Sequence, residues 1–347
     1  MPFLTRQDLR TNYQLLGPGP AAGQVPVALI HGLGANLAFW YLGAVRHLHG
    51  RTLLLHDLRG HGASSMPVSG YGLARLAEDF REMLDDLGLE RVHVVGHSHG
   101  AQVALAFALA HPGRVASLTV ADTQIRALQQ PMRLCDWSHW PRWKADLMAQ
   151  GVSSFPPEES EINFRLLAEL GPRGGAALAG GRGAQLAARA VPHPRLLVAP
   201  RPSDDGPPEV AALPNRRINL RARQMGARGN RQWQTLLETT TAGVELHDES
   251  ALVLERMATL KVPTLLIYGE LSHCLPTSDR LLALIPGARR IVVPGVGHFF
   301  PIIKPRLFAR ALSMFLAGVE TSGTPDRRRF MARVLAARSV RMPGGGA

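Results

Sequence analysis

Apolar residues arrive along this chain in short β-branched runs set between stretches of helical period. Val25 to Ile30, Leu53 to His56, Arg91 to Val95 and Ala116 to Ala121 each read as strands with both faces covered. Leu73, Leu76, Ala77, Phe80, Met83, Leu84 and Leu87 recur at helical spacing, and Gly88 supplies a C-terminal cap. Ala101 to Ala110 reads as a helix of small apolar residues stopped by Pro112. Ahead of these, residues 8–19 suit the strands of a first hairpin, punctuated by Gly17-Pro18-Gly19-Pro20. Strand and helix in alternation predict an α/β fold: a doubly wound, mostly parallel sheet with right-handed crossovers. The alternation stops after Asp122 and resumes at Val262 to Glu270, followed by a strand from Arg290 to Val293. A last helix, around Pro305 to Leu316, turns Leu307, Phe308, Ala311, Leu312 and Phe315 inward.

The interrupted stretch has two characters. Residues 124–170 hold Trp137, Trp140, Trp143, Leu147, Met148 and Phe155, enough apolar bulk for packed helices. Residues 171–226 are dominated by Gly, Ala, Arg and Pro without sustained period, a composition expected of a solvated, poorly ordered segment. Lys144, Lys261 and Lys304 are the only lysines, so the basic residues are nearly all arginine, as GC-rich coding produces. A frame-shifted reading of 171–226 is therefore a second account of that stretch, which resequencing the gene tests.

Charge changes the picture once it is located. The net +12 suggests nucleic acid, but residues 171–231 alone carry +8 and residues 321–347 carry +5. The remainder is close to neutral. Neither basic segment interleaves aromatics with arginines as a single-strand groove does, so no nucleic-acid partner is expected. The tail, with Arg327-Arg328-Arg329, reads as a solvated, frayed terminus. No apolar run reaches the ~20 residues of a membrane span, and Met1 to Asp8 lacks the apolar block of a signal peptide. Two cysteines, Cys135 and Cys274, make neither a disulfide framework nor a metal-ligand spacing. A cytoplasmic protein with a small-molecule substrate, no stable membrane insertion, no metal and no cofactor is the expectation.

Candidate chemistry sits at the strand ends. The run Val94-Val95 enters Gly96-His97-Ser98-His99-Gly100 directly before a helix, so Ser98 occupies a tight turn that exposes its hydroxyl. The first strand enters His31-Gly32-Leu33-Gly34, and Leu53 to His56 enters Asp57-Leu58-Arg59-Gly60-His61-Gly62-Ala63-Ser64. A dinucleotide fingerprint at Gly32-Leu33-Gly34 fails because Leu37 stands where its third glycine belongs.

These three stretches resemble the nucleophile elbow, the oxyanion loop and a scaffold turn of the α/β-hydrolase superfamily, over about residues 8–123 and 260–318. The resemblance implies that Ser98 is the nucleophile and that the amides of Leu33 and His99 form the oxyanion hole. It implies that His298, in Gly295-Val296-Gly297-His298, is the base. Asp57 and Arg59 tie down a loop, and His97 and His99 serve as pocket-edge or packing residues. The insertion implies a mainly helical cap over the site. Domains follow as core 1–123, cap 124–259, core 260–319 and a basic tail 320–347.

The acid departs from the pattern. The superfamily places an aspartate three residues after the glycine ending the penultimate strand, where this chain has Ser272. Asp122, at the end of the strand after the elbow helix, is the expected substitute, and Glu270 the alternative. The expected activity is hydrolysis of a carboxylic ester, thioester or lactone. Epoxide hydrolase and dehalogenase relatives carry an aspartate where Ser98 stands, which disfavours their chemistry. Carbon–carbon bond hydrolysis, lyase or perhydrolase chemistry on the same triad, or a binding protein with weakened turnover, are the other readings.

Overall fold

Eight strands form one sheet in the order β1-β2-β4-β3-β5-β6-β7-β8 in a computed structural model of the chain. It describes residues 2–19, 24–149, 152–162, 166 and 232–322. β1 (Phe3–Arg6) and β2 (Leu9–Leu16) make the hairpin, and β2 runs antiparallel to β4 (Leu53–His56). The rest is parallel: β3 (Val27–Ile30) lies between β4 and β5 (Val92–His97), followed by β6 (Val115–Ala121), β7 (Thr264–Gly269) and β8 (Arg289–Val293). The central strands carry apolar side chains on both faces because helices cover both.

One face buries Ala28, Ile30, Val94 and Val120 under the helices Leu73–Asp86 and His99–Ala110. The other buries Val27, Leu29, Val95 and Ile267 under Trp40 and the last helix, Pro305–Ser322. That division is the doubly wound arrangement expected. The elbow helix is buried on all sides, which explains its small residues: alanine lets it lie close to β5 and to its neighbouring helix.

Three features differ from the expected outline. A helix spans Leu275–Leu284, where the sequence pattern predicts none; Pro276 sits in its first turn, where a missing N–H costs nothing. The core resumes before residue 260, since Leu252, Met257 and Leu260 are buried with the sheet. The last helix continues to Ser322, so Glu320 is helical and holds Arg51 at 2.7 and 2.8 Å.

Of the segment expected to form the cap, a helix at Trp140–Ala149 packs Trp137, Trp140, Trp143 and Leu147 with Leu134 and Ile162. Met148, expected among that apolar bulk, is exposed. Helical residues 232–239 bring Trp233 and Leu236 onto Tyr71 of the core. The stretch 171–226 and the tail beyond Ser322 lie outside the described residues. Among the described residues, no helix is long and apolar enough to cross a membrane.

Candidate active site

β5 ends at His97 and the elbow helix starts at His99, leaving Ser98 alone at the turn with φ 55° and ψ −126°. A non-glycine residue in such a conformation costs on the order of 1–3 kcal/mol and is held by its surroundings. The surroundings are the two glycines. A Cβ on Gly96 would meet the Gly100 carbonyl at 2.2 Å, and one on Gly100 would meet the carbonyls of Ile30 and His31 at 2.4 Å. The Ser98 N–H donates to the Ala121 carbonyl at 3.0 Å, which ties the elbow to the end of β6. Ser98 itself is partly exposed.

The His31-Gly32-Leu33-Gly34 loop rests on this elbow. A Cβ on Gly32 would lie 2.9 Å from the Ser98 Cβ. Burial keeps the His31 imidazole neutral, well below its ordinary pKa; its Nδ1–H donates to the Gly32 carbonyl at 2.8 Å while Nε2 accepts from Leu58 N–H at 3.1 Å. A trans peptide points its C=O and N–H in opposite directions, so fixing the Gly32 carbonyl also fixes the Leu33 amide, turned away from the ring. His99 opens the helix, placing its amide at the positive end of the helix dipole. Its ring bonds Gln102 Oε1 at 2.8 Å, and Gln102 Nε2 donates to Glu249 at 2.9 Å.

Asp122 follows β6 with φ 52° and no exposure. His298 Nδ1 donates to its Oδ1 at 2.8 Å; Ser272 Oγ donates to the same oxygen; the Gly269 N–H donates to Oδ2 at 2.7 Å. Burial alone would raise the Asp122 pKa, but these donors and the nearby imidazole outweigh it and hold the group below the usual carboxylate value. Glu270 is elsewhere: it is exposed and accepts from Gly295 N–H at 2.8 Å, bracing the turn that carries His298. Of the two carboxylates weighed for the acid, the fold brings Asp122 to His298 and leaves Glu270 outside.

Two neighbours were not visible from spacing. His97 Nε2 donates to the His298 carbonyl at 2.9 Å, and its ring stacks on Phe39 at 4.7 Å between centroids. The residue before Ser98 thus grips the backbone of the candidate base. Desolvation lowers its pKa to about 3, so it does so as a neutral imidazole. Cys274 Sγ lies 3.7 Å from His298 Nδ1 and 3.3 Å from His273 Nε2, all buried. Only the absent aspartate at 272 hinted that this loop had been rebuilt. Asp57 and Arg59 stand as scaffold: Asp57 accepts from Leu37, Asn12 and Ala63, and Arg59 pairs with Asp79 and Asp8.

A sequence profile described as the alpha/beta hydrolase fold matches residues 25–305. The chain belongs to the α/β-hydrolase family. This α/β-hydrolase is 38% identical over 120 residues to a fluoroacetate dehalogenase of a Burkholderia species, an overlap of 33% of this chain and 38% of that protein. It is 33% identical over 188 residues to a Caulobacter segnis protein named as a carbamate hydrolase, covering 44% of this chain and 70% of the relative. The enol-lactonase from Burkholderia xenovorans LB400 shares the fold, with a TM-score of 0.55 at 18% identity over 91% of this chain and 100% of that one. Family and relatives together make the chain a hydrolase.

Proposed function

We propose that this α/β-hydrolase cleaves a carboxylic ester, thioester or lactone through an acyl-enzyme on Ser98, with His298 as base and Asp122 as acid. The reading rests above all on the 2.8 Å bond from His298 Nδ1 to Asp122. A carboxylate only accepts, so Nδ1 carries the ring's proton and Nε2 of the neutral imidazole keeps a lone pair. That lone pair takes the Ser98 proton as Oγ attacks the acyl carbon, a service worth ~10²–10⁴ in rate. Asp122 holds the tautomer and stabilises the imidazolium that forms. The amides of Leu33 and His99 receive the oxyanion. Collapse expels the alcohol, thiol or hydroxyl end with the proton returned by His298, and water repeats the sequence to free the acid.

Serine at position 98 separates this chain from its dehalogenase relative, because halide displacement in this superfamily uses an aspartate there. A lactone falls within the proposed class, and a carbamate presents a carbonyl open to the same attack.

The test is a fluorophosphonate probe on the full chain, with the adduct located by peptide mass spectrometry. An adduct on Ser98 that disappears in Ser98→Ala and falls sharply in His298→Ala is the expected result. Folded protein that takes no label on Ser98 would overturn the proposal.

A further inference from the structure

We propose that Asp122, Cys274 and His298 form a binding site for a thiophilic divalent cation such as Zn²⁺ or Cd²⁺, and that occupancy switches the hydrolase off. The second half rests on the serine-hydrolase reading above; the binding itself does not.

Among the described residues, these three are the group whose carboxylate, thiol and imidazole atoms converge within 4.8 Å of one another, and all three are buried. His298 Nδ1 lies 2.8 Å from Asp122 Oδ1 and 3.7 Å from Cys274 Sγ. A tetrahedral zinc with bonds of about 2.3 Å to sulfur and 2.0 Å to nitrogen has a sulfur–nitrogen edge of about 3.5 Å, so the thiol and the imidazole already stand at ligand separation. The oxygen–nitrogen pair has to open slightly as a metal replaces the shared proton. Two further donors stand beside these ligands: Ser272 Oγ on Asp122 Oδ1, and His273 Nε2 at 3.3 Å from the sulfur. One thiolate, one imidazole and one carboxylate suit Zn²⁺ or Cd²⁺ and not the all-oxygen preference of Mg²⁺ or Ca²⁺.

The consequence follows from proton bookkeeping. The cation displaces the proton from His298 Nδ1 to solvent and takes the lone pair left there, and Nε2 takes up a proton from solvent, so the neutral ring now carries its single proton on Nε2. The Cys274 thiol proton goes to solvent. Nε2 then has no lone pair for the Ser98 hydroxyl, and Asp122 is committed to the metal. The base and the metal ligand are the same ring in opposite tautomers, so the two states exclude each other.

Cys135 is an exposed thiol, so the experiment uses the full-length Cys135→Ser protein. Cd²⁺ is titrated while the thiolate–cadmium charge-transfer absorption is followed, and the rate of fluorophosphonate labelling of Ser98 is measured with and without metal. Saturation of the band at one equivalent, with labelling slowed about 10²-fold or more, is expected. Cys274→Ala and Cys274→Ser, each checked for folding by circular dichroism, should lose the band and label at one rate with or without Cd²⁺. Zn²⁺ should displace the band in the parent. Absence of the band from folded parent protein, or Cd²⁺ titrating it with unchanged affinity in both Asp122→Asn and His298→Ala, would overturn the three-ligand site. A band with unaltered labelling would overturn the switch. A Cys274-dependent band in protein that never labels, metal-free included, would uphold the site and remove the serine-hydrolase reading instead.

Discussion

β6 and β7 run side by side with Ala121 paired to Ile267, and each strand ends next to a carboxylate, yet the two carboxylates have opposite surroundings. Asp122, just past β6, is buried and receives three donors, one each from His298, Ser272 and Gly269. Glu270, just past β7, is exposed and braces the Gly295 turn. The position where the superfamily's acid is customary, Ser272, instead donates to Asp122. The contrast teaches that the environment of a carboxylate at a strand end is set by the donors and burial around it more than by the strand that carries it. Moving the carboxylate one strand over leaves the old position free to become a hydrogen-bond donor to the new one.

Removing Asp122 should break the comparison most severely. Asp122→Ala is expected to lower Ser98 labelling and turnover by about 10⁴-fold, since the histidine loses both its tautomer and its counter-charge. Loss much smaller than that would mean the β6 carboxylate is not the acid. The double variant Asp122→Asn with Ser272→Asp, which returns the carboxylate to the customary position, should recover part of that loss.

A second contrast sets Asp122, buried with partners, against His56, buried with Nδ1 unpartnered and its ring stacked on Phe80 at 5.5 Å. Desolvation lowers the His56 pKa from 6.5 to about 4. Between those values the unfolded chain holds a proton that the folded chain refuses, so stability is full above pH 6.5 and is lost as pH falls toward 4. The contribution is about 3 kcal/mol by pH 4. His56→Leu should therefore flatten the acid limb of the denaturation midpoint while changing stability at pH 7 little. An unchanged limb would show that His56 carries no such penalty.

Ser272→Ala should cost about tenfold in turnover, as expected for one hydrogen bond to a charged group. Ser272→Thr, which keeps the hydroxyl, should restore most of it, whereas a purely steric role would be served equally by alanine. Glu270→Gln is the smallest expected effect: labelling within about twofold of the parent, because an amide oxygen still accepts from Gly295 at an exposed site. A large loss there would return Glu270 to consideration as the acid.

Much of the fold was legible because its signals are local. Strands β3 to β6 are short runs rich in valine, leucine or other apolar residues, and the Leu73–Asp86 helix has one apolar stripe; each announces its type within a window of its own length. The helix at Leu275–Leu284 was not, because Pro276 and four polar residues dilute its stripe and its fully buried side chains are Thr277, Ser278 and Leu281. The early return of the core at Leu252 was hidden for a related reason. Short helices of four or five residues have too few positions to display a period.

The sequence alone determined the α/β class, the strained turn at Ser98 and the loops at its flanks, since glycine spacing and strand-to-helix junctions are written in adjacent residues. It also narrowed the acid to two carboxylates. Only the tertiary structure brought one of them, Asp122, to His298, and placed Ser272, His97 and Cys274 around that pair. Asp122 and His298 are separated by 176 positions and meet at 2.8 Å because parallel strands deliver their C-terminal ends to one edge of the sheet. Which side chains turn inward there depends on a backbone φ of 52° at Asp122 and on the packing of two loops, quantities that no local pattern encodes.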